Sequence, residues 1–70
     1  MDKLTIVKSL CDSFNYTTPD YRIFTNIRST DENLVLGVFF IKKRTTQIAE
    51  VSTLDDAINA VVEHQVHIGV

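Results

Sequence analysis

The side chains best suited to bind a metal or to act as a nucleophile are two histidines and one cysteine. His64 and His67 are three residues apart, a spacing that places two imidazoles on one face of a helix. A zinc site needs further ligands, and Cys11 is the only cysteine. It lies within an apolar helical pattern, which supplies neither a neighbouring base nor a lowered pKa for its thiol. We therefore expect no metal site, no catalytic nucleophile and no cofactor.

Motifs that mark common enzymes are absent from the sequence. Neither Gly37 nor Gly69 lies in a phosphate-binding loop, and there is no nucleophile elbow and no kinase motif. We therefore expect that the chain is not an enzyme. An active site assembled across two subunits is the one catalytic arrangement that this pattern leaves open.

Basic residues are concentrated in the middle of the chain. Residues 21–49 hold five bases and two acids, whereas the rest of the chain holds two bases and seven acids. The five bases are Arg22, Arg28, Lys42, Lys43 and Arg44. Together with Tyr21 and Phe24 as stacking partners, they would form a nucleic-acid-binding strip. We favour the other interpretation, in which charges that directly follow an apolar strand prevent aggregation, because short charge runs are usually solvated.

The acidic surplus has two interpretations as well. Asp55, Asp56 and Glu63, with Asp2 and Asp12, would form a negative face that attracts a basic partner. The simpler interpretation is that the paired aspartates stabilise the start of their own helix and that the other acids keep the protein soluble.

Length and composition limit the chain to one small domain, residues 1–70, with a net charge of -2. The longest apolar run covers residues 34–41, far short of the ~20 residues needed to cross a bilayer. No signal peptide is visible, and a lone cysteine is typical of a reducing compartment. We therefore expect a cytoplasmic protein that does not contact membranes.

Helical spacing of apolar residues occurs near both ends of the chain. The first stripe consists of Leu4, Val7, Leu10, Cys11 and Phe14. It predicts a helix over residues 4–14, with Asn15 as a left-handed C-cap. The second stripe consists of Leu54, Ala57, Ile58, Val61, Val62 and Gln65. Thr53 is its expected N-cap, and the tail over residues 66–70 is either a fraying end or a short strand.

Three strands are predicted between these helices. Residues 21–28 alternate with period two, and a turn-rich segment follows them. Residues 34–41 are apolar on both faces, as in a central strand that is covered on both sides. Residues 46–51 alternate weakly, with Ile48 on the face opposite Ala49, and are typical of an edge strand.

This order predicts an α+β fold, α-β-β-β-α, with a three-stranded antiparallel sheet and both helices packed on one face. Such a sheet exposes apolar side chains on its other face. They are Phe24, Val35, Phe39 and Ile41, with Arg22 at the rim. Exposed apolar patches usually mark interfaces, and a core of this size leaves little stability to spare. We therefore expect a homodimer or a partner protein on this face.

The element order resembles that of the double-stranded-RNA-binding domain. That family carries RNA-binding lysines at the start of its last helix, where this chain has the acidic segment Thr53-Leu54-Asp55-Asp56-Ala57. The resemblance therefore concerns topology alone, and no site residue is carried over from it.

Taken together, these patterns predict a small non-enzymatic protein-interaction module, a regulator, adaptor or inhibitor that occupies a partner protein's surface. If the open sheet face forms a homodimer, the partner surface is expected on the acidic helices. A short chain without catalytic groups is also typical of a viral or mobile-element accessory protein. The alternative is a nucleic-acid-binding protein that uses the basic strand and hairpin residues.

Overall fold

A computed structural model describes residues 2–42 and 44–68 of the chain. Its elements are α1 (Lys3–Thr17), β1 (Tyr21–Thr25), β2 (Leu36–Phe40), β3 (Thr46–Val51) and α2 (Leu54–Ile68). The strands form one antiparallel sheet with β2 in the centre. Helix α1 packs on β1, whereas α2 packs on β2 and β3. The predicted α+β fold and its element order are confirmed.

The core lies between the two helices and one face of the sheet. Its largest fully buried side chains are Tyr21 and Ile23 of β1 and Leu36 and Val38 of β2. From the helices it receives Val7, Cys11, Ala57 and Val61. Each helix therefore contributes two buried residues one turn apart, as expected for amphipathic helices that cover one side of a sheet. The opposite face of the sheet has no helix over it in the described part of the chain.

Helix α1 is longer than its apolar stripe predicts, and Asn15 is not its C-cap. The helix runs through Asn15 to Thr17, and no described residue adopts a left-handed conformation. The Asn15 side chain instead bonds the backbone of Ile23: Nδ2 donates to the carbonyl at 3.0 Å, and Oδ1 accepts from the amide at 2.8 Å. Both groups lie on the side of β1 away from β2, so Asn15 closes an otherwise open sheet edge.

Strand β1 ends at Thr25, three residues earlier than predicted, because an ordered loop begins there. Ser29 lies at the centre of this loop, where its hydroxyl donates to the Val35 carbonyl at 2.8 Å and accepts from the Val35 amide at 2.9 Å. Asp31 Oδ1 accepts the Leu4 amide at 2.9 Å. The loop thus supplies a carboxylate to the start of α1, where the helix dipole favours negative charge.

Strand β3 contains a β-bulge that changes which side chains face the helices. Phe39 of β2 pairs with Gln47, and Val38 pairs with Ala49, so Ile48 is the extra residue. Ile48 and Ala49 both pack against the core. The prediction that these two side chains lie on opposite faces was wrong, since a bulge breaks the period-two alternation.

Helix α2 begins where the sequence predicts and extends beyond the end of its apolar pattern at Gln65. The Asp56 amide donates to Thr53 Oγ1 at 3.1 Å, which confirms Thr53 as the N-cap. Residues 66–68 are helical, whereas Gly69 and Val70 lie outside the described residues. Neither helix is both long and apolar enough, over its described residues, to cross a membrane.

Candidate interaction surface

The open sheet face presents two phenylalanine rings side by side. Phe24 of β1 and Phe39 of β2 have their ring centroids 6.0 Å apart at an interplanar angle of 59°. Phe24 is 52% exposed, and Phe39 is half-buried. This tilted arrangement is one that aromatic pairs favour. The two rings are the part of the predicted interface that the structure brings into direct contact.

Gly37 allows the Phe39 ring to lie flat against the strand. A Cβ atom at residue 37 would lie 3.0 Å from Phe39 Cε1 and 3.4 Å from Cζ. Because glycine has no side chain there, the ring covers its own strand and leaves a shallow groove of about 220 Å³ beside it. The groove is lined by Phe24, Thr25, Asn26, Gly37, Phe39, Gln47 and Glu50.

Gln47 and Glu50 both line the groove, although the sequence pattern did not place them together on the open face. They are three positions apart, so a regular strand would point them to opposite faces. The bulge at Ile48 places Gln47 opposite Phe39 and Glu50 opposite Gly37, on the same face. A weak alternation at residues 46–51 was the one sequence signal of this irregularity.

Arg22 is held at the rim of the open face by the loop before β1. Its Nη1 donates to the carbonyls of Thr18 at 2.9 Å, Pro19 at 3.3 Å and Tyr21 at 2.7 Å. These three carbonyls meet the hydrogen-bonding capacity of this nitrogen, so it needs no anionic partner. Arg22 therefore braces the turn between α1 and β1 while its half-buried side chain borders the aromatic pair.

Val35 and Ile41 lie just outside the two ends of β2 and are half-buried. Their backbones extend the ladder, since the Val35 carbonyl accepts from Asn26 at 2.7 Å and the Ile41 amide donates to Asp20 at 3.0 Å. They share the strand alternation of Phe39. Each is thus placed at one end of the open face, away from its aromatic centre.

The basic residues lie at two ends of the sheet, with Arg22 at the same end as Lys42 and Arg44 and with Arg28 at the other end. Arg28 lies in the connection between β1 and β2, where its Nε donates to Asn26 Oδ1 at 3.4 Å. Lys42 and Arg44 are exposed in the hairpin between β2 and β3, at the other end of the sheet. Five strand residues at ~3.3 Å each separate these ends by about 15 Å. Lys43 lies outside the described residues.

His64 and Cys11 have structural roles in this fold, whereas His67 is exposed. His64 Nδ1 and the Tyr21 hydroxyl share a hydrogen bond of 2.7 Å, and the His64 ring also packs against Phe40. Burial of Tyr21, reinforced by the nearby Asp20 carboxylate, raises the pKa of its phenol. Burial likewise raises the pKa of the Cys11 thiol, with a contribution from Asp12. Among the described residues, no group of three His, Cys, Asp or Glu side chains could hold a metal ion.

The chain matches no known family model, and searches of curated proteins and of solved structures found no significant match.

Proposed function

We propose that this chain is a small, non-enzymatic protein-interaction module whose open sheet face binds an apolar side chain on the surface of a partner protein. The observation that carries the proposal is the pair of Phe24 and Phe39, which is placed on the one sheet face that the helices leave uncovered. The module would act as a regulator, adaptor or inhibitor by occupying that surface. We place its action in the cytoplasm, since its one thiol has no disulfide partner.

The aromatic pair has the form of a binding hot spot. Large rings at the centre of an interface carry much of its energy, and polar neighbours form the rim. Phe24 and Phe39 are bordered by Asn26, Gln47 and Glu50, which supply that rim. Covering the exposed half of Phe24 alone stabilises a complex by about 1 kcal/mol.

The charges around the groove favour a protein over a nucleic acid. Glu50 lines the groove and would repel a phosphate backbone. Arg22, the base on this face, is engaged with loop carbonyls. Lys42 and Arg44 lie in the hairpin at that end of the sheet and Arg28 lies at the other end, and none of them lines the groove. A stacking platform for bases needs cations along the same groove. Nucleic-acid binding is therefore the alternative, and the experiment must distinguish it from protein binding.

The test is a matched comparison of three tagged proteins in lysate of the native cell, with and without nuclease. They are the unmodified chain, Phe24→Asp, and Ile27→Asp as the control. Ile27 is 99% exposed in the loop after β1, so its substitution adds the same charge away from the groove. We expect a stoichiometric protein that survives nuclease, is retained by Ile27→Asp and is lost from Phe24→Asp.

Two results would contradict the proposal. Capture that disappears on nuclease treatment, and on neutralising Lys42 and Arg44, would identify the chain as a nucleic-acid-binding protein. A partner that Phe24→Asp holds as tightly as the unmodified chain would place the binding surface elsewhere. Circular dichroism of Phe24→Asp, whose site is half-exposed, verifies that the variant is folded.

A further inference from the structure

The groove on the open sheet face is aromatic on one side and polar on the other. Phe24, Gly37 and Glu50 form one row across the three strands, because Gly37 pairs with both of the others. The backbones of Phe24 and Glu50 are therefore about 10 Å apart, given the spacing of neighbouring strands. Gly37 leaves this interval without a side chain of its own, and the Phe39 ring covers it from the next row. The groove thus runs from one ring, across a second ring, to a carboxylate.

Glu50 is the one charged side chain among the described residues that line the groove. It is exposed on β3, beside Gln47, whose Nε2 donates to the Ala49 carbonyl at 3.4 Å. Arg22, the base on this face, has its Nη1 turned to the carbonyls of the loop before β1. The groove therefore has a negative end that none of its described lining residues neutralises.

A partner that covers the two rings also covers Glu50, because all three side chains line the same groove. A carboxylate that loses water without gaining a hydrogen-bond donor destabilises the complex. A wholly apolar partner surface would leave Glu50 in that state, and an acidic surface would repel it. The partner must therefore bring a cationic donor within reach of both a ring and the carboxylate.

Arginine suits this arrangement better than lysine. Its planar guanidinium stacks on an aromatic face, whose quadrupole attracts a cation. The forked N–H groups of the same plane match the two oxygens of a carboxylate. Its aliphatic stem packs along apolar surface while the charged end stays at the polar side. Lysine ends in a compact, strongly hydrated charge that offers neither the stacking plane nor the paired donors.

We infer that the groove binds an arginine side chain of the partner protein, with its guanidinium stacked on Phe39 and paired with Glu50. The inference rests on the proposed function and specifies the partner further. The arginine lies beside the apolar side chain that covers Phe24, so the recognised surface combines one apolar and one basic residue.

Selection of a displayed library of random peptides on the immobilised chain tests this inference without knowledge of the partner. We expect the selected peptides to share an arginine next to an apolar residue. Glu50→Gln keeps the shape of the side chain without its charge, and it should select the apolar residue without the arginine. Glu63→Gln is the matched control, because Glu63 is exposed on α2, which packs on the other face of the sheet. It removes the same charge and should select the same peptides as the unmodified chain.

Fluorescence anisotropy of one selected peptide gives the magnitude. Glu50→Gln should raise its Kd about 5-fold, as for an exposed ion pair, and Glu63→Gln should leave it unchanged. A peptide with citrulline, the neutral isostere of arginine, should bind the unmodified chain about 5-fold more weakly. That peptide should lose no further affinity on Glu50→Gln, because the pair is already broken. The citrulline measurement needs only the unmodified chain, so it tests the pair even if Glu50→Gln does not fold.

Several results would overturn the inference and leave the proposed function standing. They are selected peptides without arginine, peptides with lysine in its place, and arginine selected equally by Glu50→Gln. A library from which the unmodified chain selects no peptide overturns it too. So does a dimer, seen by sedimentation velocity, that dissociates on Phe24→Asp, since a second copy then fills the groove. If Phe24→Asp selects the same peptides as the unmodified chain, the proposed function itself is wrong. The two failures are therefore read from different variants.

Discussion

Asn15→Ala tests whether a single side chain closes the edge of β1. Asn15 makes two hydrogen bonds to the Ile23 backbone, at 3.0 Å and 2.8 Å, in a partly buried site. Each such bond contributes about 1 kcal/mol. Alanine recovers about 0.6 kcal/mol because it favours the helix more than asparagine does. The free energy of unfolding should therefore fall by about 1.5 kcal/mol.

A loss of this size is readily measured in a 70-residue chain. One kcal/mol shifts the Tm of a domain this small by ~4–8 °C, so Asn15→Ala should melt about 6–12 °C lower. The assay is thermal and urea unfolding followed by circular dichroism. Asn59→Ala is the matched control, because Asn59 lies exposed within α2 and gains the same helix propensity without losing these bonds.

A charged variant and a local probe sharpen the test. Asn15→Asp keeps an acceptor for the Ile23 amide but turns a carboxylate oxygen toward the Ile23 carbonyl in the last turn of α1, so it should be no more stable than Asn15→Ala. Hydrogen exchange at the Ile23 amide should accelerate in Asn15→Ala and not in Asn59→Ala. If the two alanine variants melt together at or above the temperature of the unmodified chain, the edge is closed by something other than Asn15.

Two further predictions concern the start of α2 and the buried tyrosine. Thr53→Ala removes the hydroxyl that accepts the Asp56 amide and should lower the free energy of unfolding by about 1 kcal/mol in urea titrations, whereas Ser52→Ala, at the exposed neighbouring residue, should change it little. Tyr21→Phe loses the hydrogen bond to His64 and should cost about 1 kcal/mol at neutral pH. Because burial raises the pKa of Tyr21, the folded state holds its proton more tightly, so the stability of the unmodified chain should fall as pH rises above about 10. Tyr21→Phe should remove the loss of stability above about pH 10. It should keep the loss that begins above about pH 8.5, which comes from the buried Cys11 thiol. If the stability of Tyr21→Phe falls above about pH 10 as steeply as that of the unmodified chain, the role assigned to Tyr21 is wrong.

The architecture could be predicted because its signals are local. Helical and strand periodicity are properties of consecutive residues, and they gave the order and type of all five elements. The Thr53 cap is equally local, since the hydroxyl and the amide it bonds are three residues apart. Phe24 and Phe39 were also assigned correctly to one sheet face, because β1 is regular and β2 keeps its alternation.

The contacts that the sequence pattern missed join residues far apart in the chain or break a period. Asn15 looks like a helix C-cap until β1 packs beside it, and Asp31 caps α1 across 27 residues. The bulge at Ile48 shifts Gln47 onto the face of Glu50, which no alternation rule predicts. The sequence therefore predicted the two aromatic rings of the groove, whereas the bulge determines its polar side.

The sequence by itself determined which residues are apolar, where the chain bends and which elements form, since propensity and periodicity act over a few neighbouring residues. Only the tertiary structure decided which apolar residues stay exposed. Leu10 and Val62 belong to the same helical patterns as Cys11 and Val61, yet they are about half-exposed while the latter two are buried. The difference arises because each helix rests on a different part of one sheet, and the width of that sheet sets how much of each helix flank the core can cover.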